Sequence, residues 1–226
     1  GRHHSAHDAE LLENYYKNTD IFIPEGMGWD AAIASAYQEA AKGNQEAAGK
    51  LDMFAESEST KKVNQIIKKY SGKEITFIDI PRGTELYAEM IKQEPEISKT
   101  LENFIKNKVP FSEAAERYYK KIYAQTSLED IREKRMIEML PIAITLILRK
   151  NKSLEKKDKL KVLMRLGAAH TRIYHWLKKR GENVKRVYEE KPHSVNPGLA
   201  LIGRSCLFNK KLNVDEKEHA YFTDIL

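Results

Sequence analysis

The stretch Lys159-Leu-Lys-Val-Leu-Met-Arg-Leu-Gly-Ala-Ala-His170 is the part of the sequence that decides the fold. Its first part contains the large apolar side chains typical of a strand, and apolar residues then recur at helical spacing up to Gly181. A strand that leads through a short turn into a helix is the building unit of α/β proteins. The sequence therefore predicts a strand to Leu166, a turn that carries His170, and a helix after it.

Two earlier segments show the same organisation. Asp20-Ile-Phe-Ile-Pro-Glu25 and Glu74-Ile-Thr-Phe-Ile-Asp-Ile80 are short, apolar and rich in β-branched and aromatic residues, which favours strands buried on both faces. A helical pattern runs from Trp29 to about Tyr70, with breaks near Gly43 and around residues 56–59. We therefore predict an α/β fold with a mixed or mostly parallel sheet flanked by helices.

Nearly all of residues 84–150 have helical periodicity, with punctuation at Pro95, at Val109-Pro110 and at Pro141. We expect a large helical insertion or cap over about 84–150, within a single domain that covers residues 1–226. Farther along the chain, Asn183 to Tyr188 fits a strand, and Leu199 to Ile202 is a weaker candidate for another.

Composition limits the classes of protein to be considered. Hydrophobic residues make up 41% and charged residues 32% of the chain, which indicates a globular protein that folds unaided. The net charge of +6 comes from lysines and arginines interspersed with acidic neighbours, so we expect solvated helix faces and no nucleic-acid partner. Cys206 is the single cysteine, which excludes an intrachain disulfide.

The longest apolar stretch runs from Met139 to Leu148. It is about half of the ~20 residues that cross a bilayer, so we interpret it as a buried helix and expect no membrane span. No basic-then-apolar signal opens the sequence, and we expect a cytoplasmic protein.

Three polar residues follow the predicted strands: Glu25, Asp79 and His170. Functional groups of open α/β sheets gather at the carboxyl ends of the strands, so these side chains are the candidates for a site. His170 belongs to a Gly-x-x-His turn, and a second one, Gly1-Arg-His-His4, opens the sequence. A glycine lets the backbone turn tightly, so that each imidazole can face the crevice.

Two imidazoles and a carboxylate suit a divalent transition ion with open positions for water and substrate. His4, Glu25 and His170 are the natural ligands for such an ion. Without a metal, a histidine could act as general base, with Glu25 as its orienting partner or as a second acid.

The ordered set of motifs resembles the Tiki, TraB/PrgY, ChaN and erythromycin-esterase-like superfamily, whose members share two Gly-x-x-His motifs, a strand-end glutamate and a helical arginine. Gly1-Arg-His-His4 is similar to the first motif, Phe22-Ile-Pro-Glu25-Gly26 to the glutamate strand, and Leu166-Gly-Ala-Ala-His170 to the last motif. The family's Arg-acid-x-x-Met helix resembles Arg132-Glu133-Lys-Arg-Met136. The resemblance covers roughly residues 1–190 in motif order.

This resemblance implies an α/β sheet with helical excursions. Its Tiki branch implies metal-dependent peptide hydrolysis by the two histidines and the glutamate, its erythromycin-esterase branch metal-free ester hydrolysis, and its ChaN branch haem binding. We predict a hydrolase of peptidase or esterase type, with His4, Glu25 and His170 as ligands of Mn, Co, Fe or Zn. Glu25 and His170 are the predicted catalytic residues, and Arg132 is predicted to stabilise the oxyanion.

The alternative is a non-catalytic protein of the same superfamily that binds haem or a small ligand. The expected partner of the hydrolase is a peptide or a small ester or amide substrate, and a homodimer is left open.

Each candidate residue also has a purely structural interpretation. Glu25 could stabilise the start of the next helix through the helix dipole, and His170 could be a helix-start residue satisfied by backbone groups. Asp79 could cap the helix that begins near Gly83. Arg132 could pair with Glu129 or Glu133 on a helix surface.

Overall fold

A parallel sheet of three short strands organises the fold, in the order β2-β1-β3. The structure is a computed structural model that describes residues 6–55, 57–93, 106, 109–167, 170–187, 202, 205–206 and 211–225. The strands are β1 (Ile21–Pro24), β2 (Glu74–Ile75) and β3 (Val162–Arg165). All four residues of β1 are buried, as expected for a strand that is paired along both edges. The predicted α/β fold with a mostly parallel sheet is confirmed.

Helices account for most of the described chain. The first four are α1 (Ala6–Tyr16), α2 (Ala31–Ala41), α3 (Gln45–Met53) and α4 (Glu58–Lys69). Residues 85–93 form α5. Four longer or complete helices follow: α6 (Phe111–Lys150), α7 (Lys152–Glu155), α8 (Thr171–Lys179) and α9 (Val214–Ile225).

The two breaks predicted between β1 and β2 are confirmed. Gly43 has a φ of 96°, which a residue with a side chain rarely adopts, and the next residue, Asn44, accepts a hydrogen bond from Ala47 N at 3.1 Å to begin α3. Ser57 begins α4 in the same way, because its Oγ accepts from Thr60 N at 3.1 Å.

The chain divides into two compact units. The first comprises Gly1–Arg82 and Glu133–Lys191, and the second Gly83–Arg132 and Pro192–Leu226. The boundary falls inside α6, between residues 132 and 133. The sheet and the three strand-end candidates, Glu25, Asp79 and His170, belong to the first unit. That the whole chain forms a single domain stays a prediction.

The first unit has helices on both faces of the sheet. Phe22 of β1 is buried with side chains of α2, α3 and α4, whereas Ile21 and Ile23 are buried with Met136 of α6 and Ile173 of α8. Successive side chains of a strand point to opposite faces, so β1 contributes to both layers. α6 and α8 therefore lie on the same face of the sheet.

The second unit has its own apolar core. The first turns of α6 contribute Ala114, Tyr118 and Ile122, which are buried together with Leu212 and with Ala220 of α9. Cys206 belongs to this unit, and its sulfur lies 3.2 Å from Ser127 Oγ.

Pro141 does not interrupt its helix, contrary to the expected punctuation. α6 continues through it to Lys150. Proline removes one backbone hydrogen bond, at a cost of about 3 kcal/mol in a helix interior. Leu140 and Ala143 are buried on either side of it, and this packing holds the helix together.

Two predicted strands are shorter than expected or missing. The segment Glu74–Ile80 is a strand over its first two residues alone, and at its other end Ile80 O accepts from Gly28 N at 2.8 Å, beyond the end of β1. Residues 183–187 form no strand, and the side chains of Lys185 and Arg186 lie over tyrosine rings instead. Ile202 is helical, and residues 199–201 lie outside the described residues.

Candidate functional site

The carboxyl ends of β1 and β3 lie side by side. The two strands are parallel, and their last residues, Pro24 and Arg165, are partners in the register. The residues that follow, Glu25 on one strand and Leu166-Gly167 on the other, therefore leave the sheet at the same edge. This is the edge at which ligands bind in open α/β sheets.

Glu25 and His170 meet at this edge. Oε1 of Glu25 lies 3.5 Å from Nε2 of His170. The His170 side chain is 4% exposed, whereas that of Glu25 is 31% exposed. The pair thus consists of an imidazole held inside the protein and a carboxylate that solvent can reach.

Gly167 makes this approach possible. A Cβ atom on Gly167 would lie 3.3 Å from Oε1 and 3.4 Å from Oε2 of Glu25, closer than side-chain contacts normally are. Its φ is not in the left-handed region, so the proximity of the Glu25 carboxylate, and not backbone strain, favours glycine at this position.

His170 occupies the N-cap position of α8, but its side chain does not cap the helix. Instead, Ile173 N donates to Oε1 of Glu133 at 3.1 Å. The backbone N–H of His170 donates to Gly167 O at 3.1 Å. His170 is thus a helix-start residue, as its structural interpretation supposed, but its ring lies beside Glu25 and makes no capping hydrogen bond.

The N-cap positions of the helices that follow Glu25 and Asp79 are occupied by other residues. Asp30 is the N-cap of α2, and its Oδ1 accepts from Ile33 N at 2.9 Å. At the start of α5, Thr84 Oγ1 accepts from Tyr87 N at 3.3 Å. Asp79 is buried, and its Oδ1 accepts from the adjacent Ile80 N at 2.8 Å.

Arg132 is buried and pairs with Glu129. Its side chain is 7% exposed, and Nη1 lies 3.1 Å from Oε2 of Glu129. The pairing matches one of the two structural interpretations, although the arginine is not on a helix surface as that interpretation assumed. Arg132 belongs to the second unit, and its predicted role toward an oxyanion stays a prediction.

Gly1 and His4 lie outside the described residues, so the third predicted metal ligand has no structural account. Within the described ranges, no three histidine, cysteine, aspartate or glutamate side chains gather into a ligand set. Glu25 and His170 nevertheless fit two positions of one. Ligands about 2.0–2.1 Å from a tetrahedral ion are about 3.4 Å apart, and the two atoms of this pair are 3.5 Å apart.

A second pair of polar residues, Arg165 of β3 and Tyr37 of α2, lies near the same edge, on the other face of the sheet. Arg165 lies close enough to the buried Tyr37 hydroxyl to affect its ionisation. Burial raises the pKa of Tyr37 to about 12, and the positive charge of Arg165 opposes this rise. The phenol is therefore neutral at physiological pH, and it donates to Asn64 Oδ1 at 3.0 Å.

Sequence reasoning missed the contribution of Glu133. It appeared as a possible surface partner of Arg132, yet it is 8% exposed and bonds to the backbone of α8. The one available signal was its place in the Arg-acid-x-x-Met motif, where the acid stands three residues before the buried Met136. Residues i and i+3 lie on the same helix face, so an acid at this position faces the core.

Comparisons with protein families, with curated proteins and with solved structures find no match for this chain. The resemblance to the Tiki and TraB superfamily therefore stays a prediction from motifs. Among the described residues, no helix combines the length and the apolar character that crossing a membrane requires.

Proposed function

We propose that this chain is a hydrolase of peptidase or esterase type whose reaction takes place at Glu25 and His170. The observation that carries the proposal is the pair itself: two residues far apart in sequence lie 3.5 Å apart at the carboxyl edge of the sheet. Gly167 is the second support, because a side chain there would press on the Glu25 carboxylate.

The proposal includes a divalent transition ion, with His170 and Glu25 as two of its ligands and His4 as the third. The spacing of the two described donor atoms suits this role. When bound, such an ion supplies a Lewis acid and lowers the pKa of its water. Imidazole and carboxylate ligands are compatible with Mn, Co, Fe or Zn.

The difference in exposure between His170 and Glu25 indicates a different role for each side chain. His170 is almost fully buried and has a fixed neighbour, so its part is to hold the site together. Glu25 is partly exposed and, as the alternative to its role as a ligand, can accept a proton from an attacking water and deliver it to the leaving group of an ester or amide. Arg132 is assigned to the oxyanion on the strength of the family resemblance alone.

The test combines metal analysis with turnover of peptide and ester substrates. His170→Ala and Glu25→Gln should each abolish turnover and lower the metal content, with a circular dichroism spectrum like that of the wild type. His175→Ala is the matched control, because His175 lies on α8 and is exposed. The His175→Ala variant should keep the turnover and the metal content of the wild type.

Three other results would change the conclusion. Turnover by metal-free wild type would replace the metal site by a His170–Glu25 acid–base pair. Full turnover in His170→Ala would contradict the assignment of the site. A Soret band on addition of haem, lost in a histidine or tyrosine variant and without turnover of any substrate, would favour the non-catalytic alternative.

A further inference from the structure

The N-terminus of α8 is satisfied from another helix. His170 is the N-cap residue, yet its side chain makes no capping hydrogen bond. The third N–H of the helix, that of Ile173, donates to Oε1 of Glu133 on α6 at 3.1 Å. Glu133 and Ile173 are 8% and 2% exposed, so this contact lies inside the protein.

A buried helix start needs such an acceptor. The first N–H groups of a helix have no partner within the helix, and leaving one unsatisfied in the interior costs about 1–3 kcal/mol. The N-terminal end of the helix dipole also favours a negative charge. An N-cap side chain normally supplies the acceptor, but the one at this position is directed to Glu25.

We propose that Glu133 is a positioning residue for His170. Glu133 accepts the hydrogen bond that an N-cap side chain would otherwise accept. The His170 imidazole is therefore left directed toward Glu25. This inference rests on the proposed function for its catalytic consequence, but the position of the ring can be measured without it.

His170 is held at two points. Its own N–H bonds to Gly167 O at 3.1 Å, and the helix that it begins is anchored through Ile173 to Glu133. Loss of the Glu133 carboxylate removes the second point and leaves the first turn of α8 without its cap. The expected result is a helix start that frays and a His170 ring that no longer stays beside Glu25.

Three variants separate positioning from charge and from general stability. Glu133→Ala removes the acceptor, whereas Glu133→Gln keeps an acceptor oxygen and removes the charge. Glu138→Ala removes an exposed carboxylate from the same helix and is the matched control. The readouts are hydrogen exchange of the Ile173 amide, the ring signals of His170 in the NMR spectrum, assigned with His170→Gln, and kcat and KM with the best substrate.

In Glu133→Ala we expect Ile173 to exchange roughly tenfold faster, because its N–H loses its acceptor. The His170 ring signals should shift, and kcat should fall roughly tenfold or more with little change in KM, since a misplaced catalytic group affects the chemical step. Glu133→Gln should stay within about threefold of the wild type in kcat, because it retains a capping oxygen. Glu138→Ala should match the wild type in every readout.

Unchanged His170 signals and unchanged kcat in Glu133→Ala, with faster exchange at Ile173, would overturn the proposal and leave Glu133 as a stabilising residue. A kcat for Glu133→Gln as low as that of Glu133→Ala would also overturn it. Where Glu133→Ala does not fold, Glu133→Asp, whose carboxylate is one methylene shorter, is compared instead. A wild type without turnover would count against the hydrolase, while the ring signals would still decide the role of Glu133.

Discussion

A Cβ atom on Gly167 would lie 3.3 Å from Oε1 of Glu25, so the carboxylate that follows one strand leaves little room for a side chain after the other. Gly167→Ala should therefore displace the Glu25 carboxylate by a few tenths of an ångström. Glu25 is partly exposed and can move, so we expect a loss of stability below about 1 kcal/mol, together with weaker metal binding and slower turnover.

The control for this substitution is Gly49→Ala. Gly49 lies within α3, where an added Cβ would meet nothing within 4 Å. Alanine is the better helix former, so this variant should gain about 0.5–1 kcal/mol of stability and keep the site unchanged. Isothermal titration with Mn²⁺ and Zn²⁺ measures binding in both variants. Equal metal affinity in Gly167→Ala and the wild type would contradict a role for Gly167 at a metal site.

Asn64 links three helices, α2, α3 and α4, inside the first unit. Its side chain is 0% exposed, accepts from Tyr37 hydroxyl at 3.0 Å and donates to Leu51 O at 2.7 Å. Asn64→Ala leaves both partners buried without this contact, so the free energy of unfolding should fall by about 2–4 kcal/mol. Denaturant titration measures it, with the exposed neighbour Gln65→Ala as control. If Asn64→Ala lowers the free energy of unfolding by less than Gln65→Ala does, the two hydrogen bonds of Asn64 contribute nothing to stability.

Asp20 makes the junction of β1 and β3 sensitive to pH. Its carboxylate accepts from Lys157 Nζ at 2.6 Å and from Lys161 N at 2.9 Å. Burial raises the pKa of Asp20, but these two hydrogen bonds outweigh it, so the net pKa is lowered. The stabilisation is therefore complete above the ordinary aspartate pKa and is lost as the pH falls through the lowered value in the folded protein.

The substitution Asp20→Asn should cost about 0.5–1 kcal/mol at neutral pH, a figure kept low because the pair with Lys157 is partly solvated. The difference from the wild type should shrink as the pH falls below about 4. Thermal unfolding at several pH values gives this difference, and Asp158→Asn, at an exposed position, is the control. A difference that does not depend on pH would show that the carboxylate charge plays no part.

Pro141 is exposed in the interior of α6, where it provides no backbone N–H. Pro141→Ala should therefore restore a hydrogen bond and raise the free energy of unfolding by about 1–3 kcal/mol. Calorimetry of the two proteins measures the change. A lower melting temperature in the variant would show that the helix depends on the geometry that proline imposes.

Much of the first unit could be predicted from local pattern. Short apolar runs mark β1 and β3, and the breaks at Gly43 and Ser57 follow from the conformations and capping groups that these residue types favour. The errors occur where packing overrides local preference. Pro141 should have ended a helix, but the buried residues on either side of it keep α6 continuous. The segment after β2 hydrogen-bonds to Gly28, beyond the end of β1, instead of lengthening the strand.

For the candidate site, the sequence alone determined which residue types stand at the strand ends: Glu25 after one strand and Gly167 with His170 after another. Strand-end position is a local property, because it depends on where a short apolar run stops. The pairing of Glu25 with His170 was decided by the tertiary structure, through the register that places Pro24 beside Arg165. The tertiary structure also decided the role of Glu133. Its hydrogen bond to Ile173 depends on two helices that pack on the same face of the sheet, and no local pattern specifies such a contact.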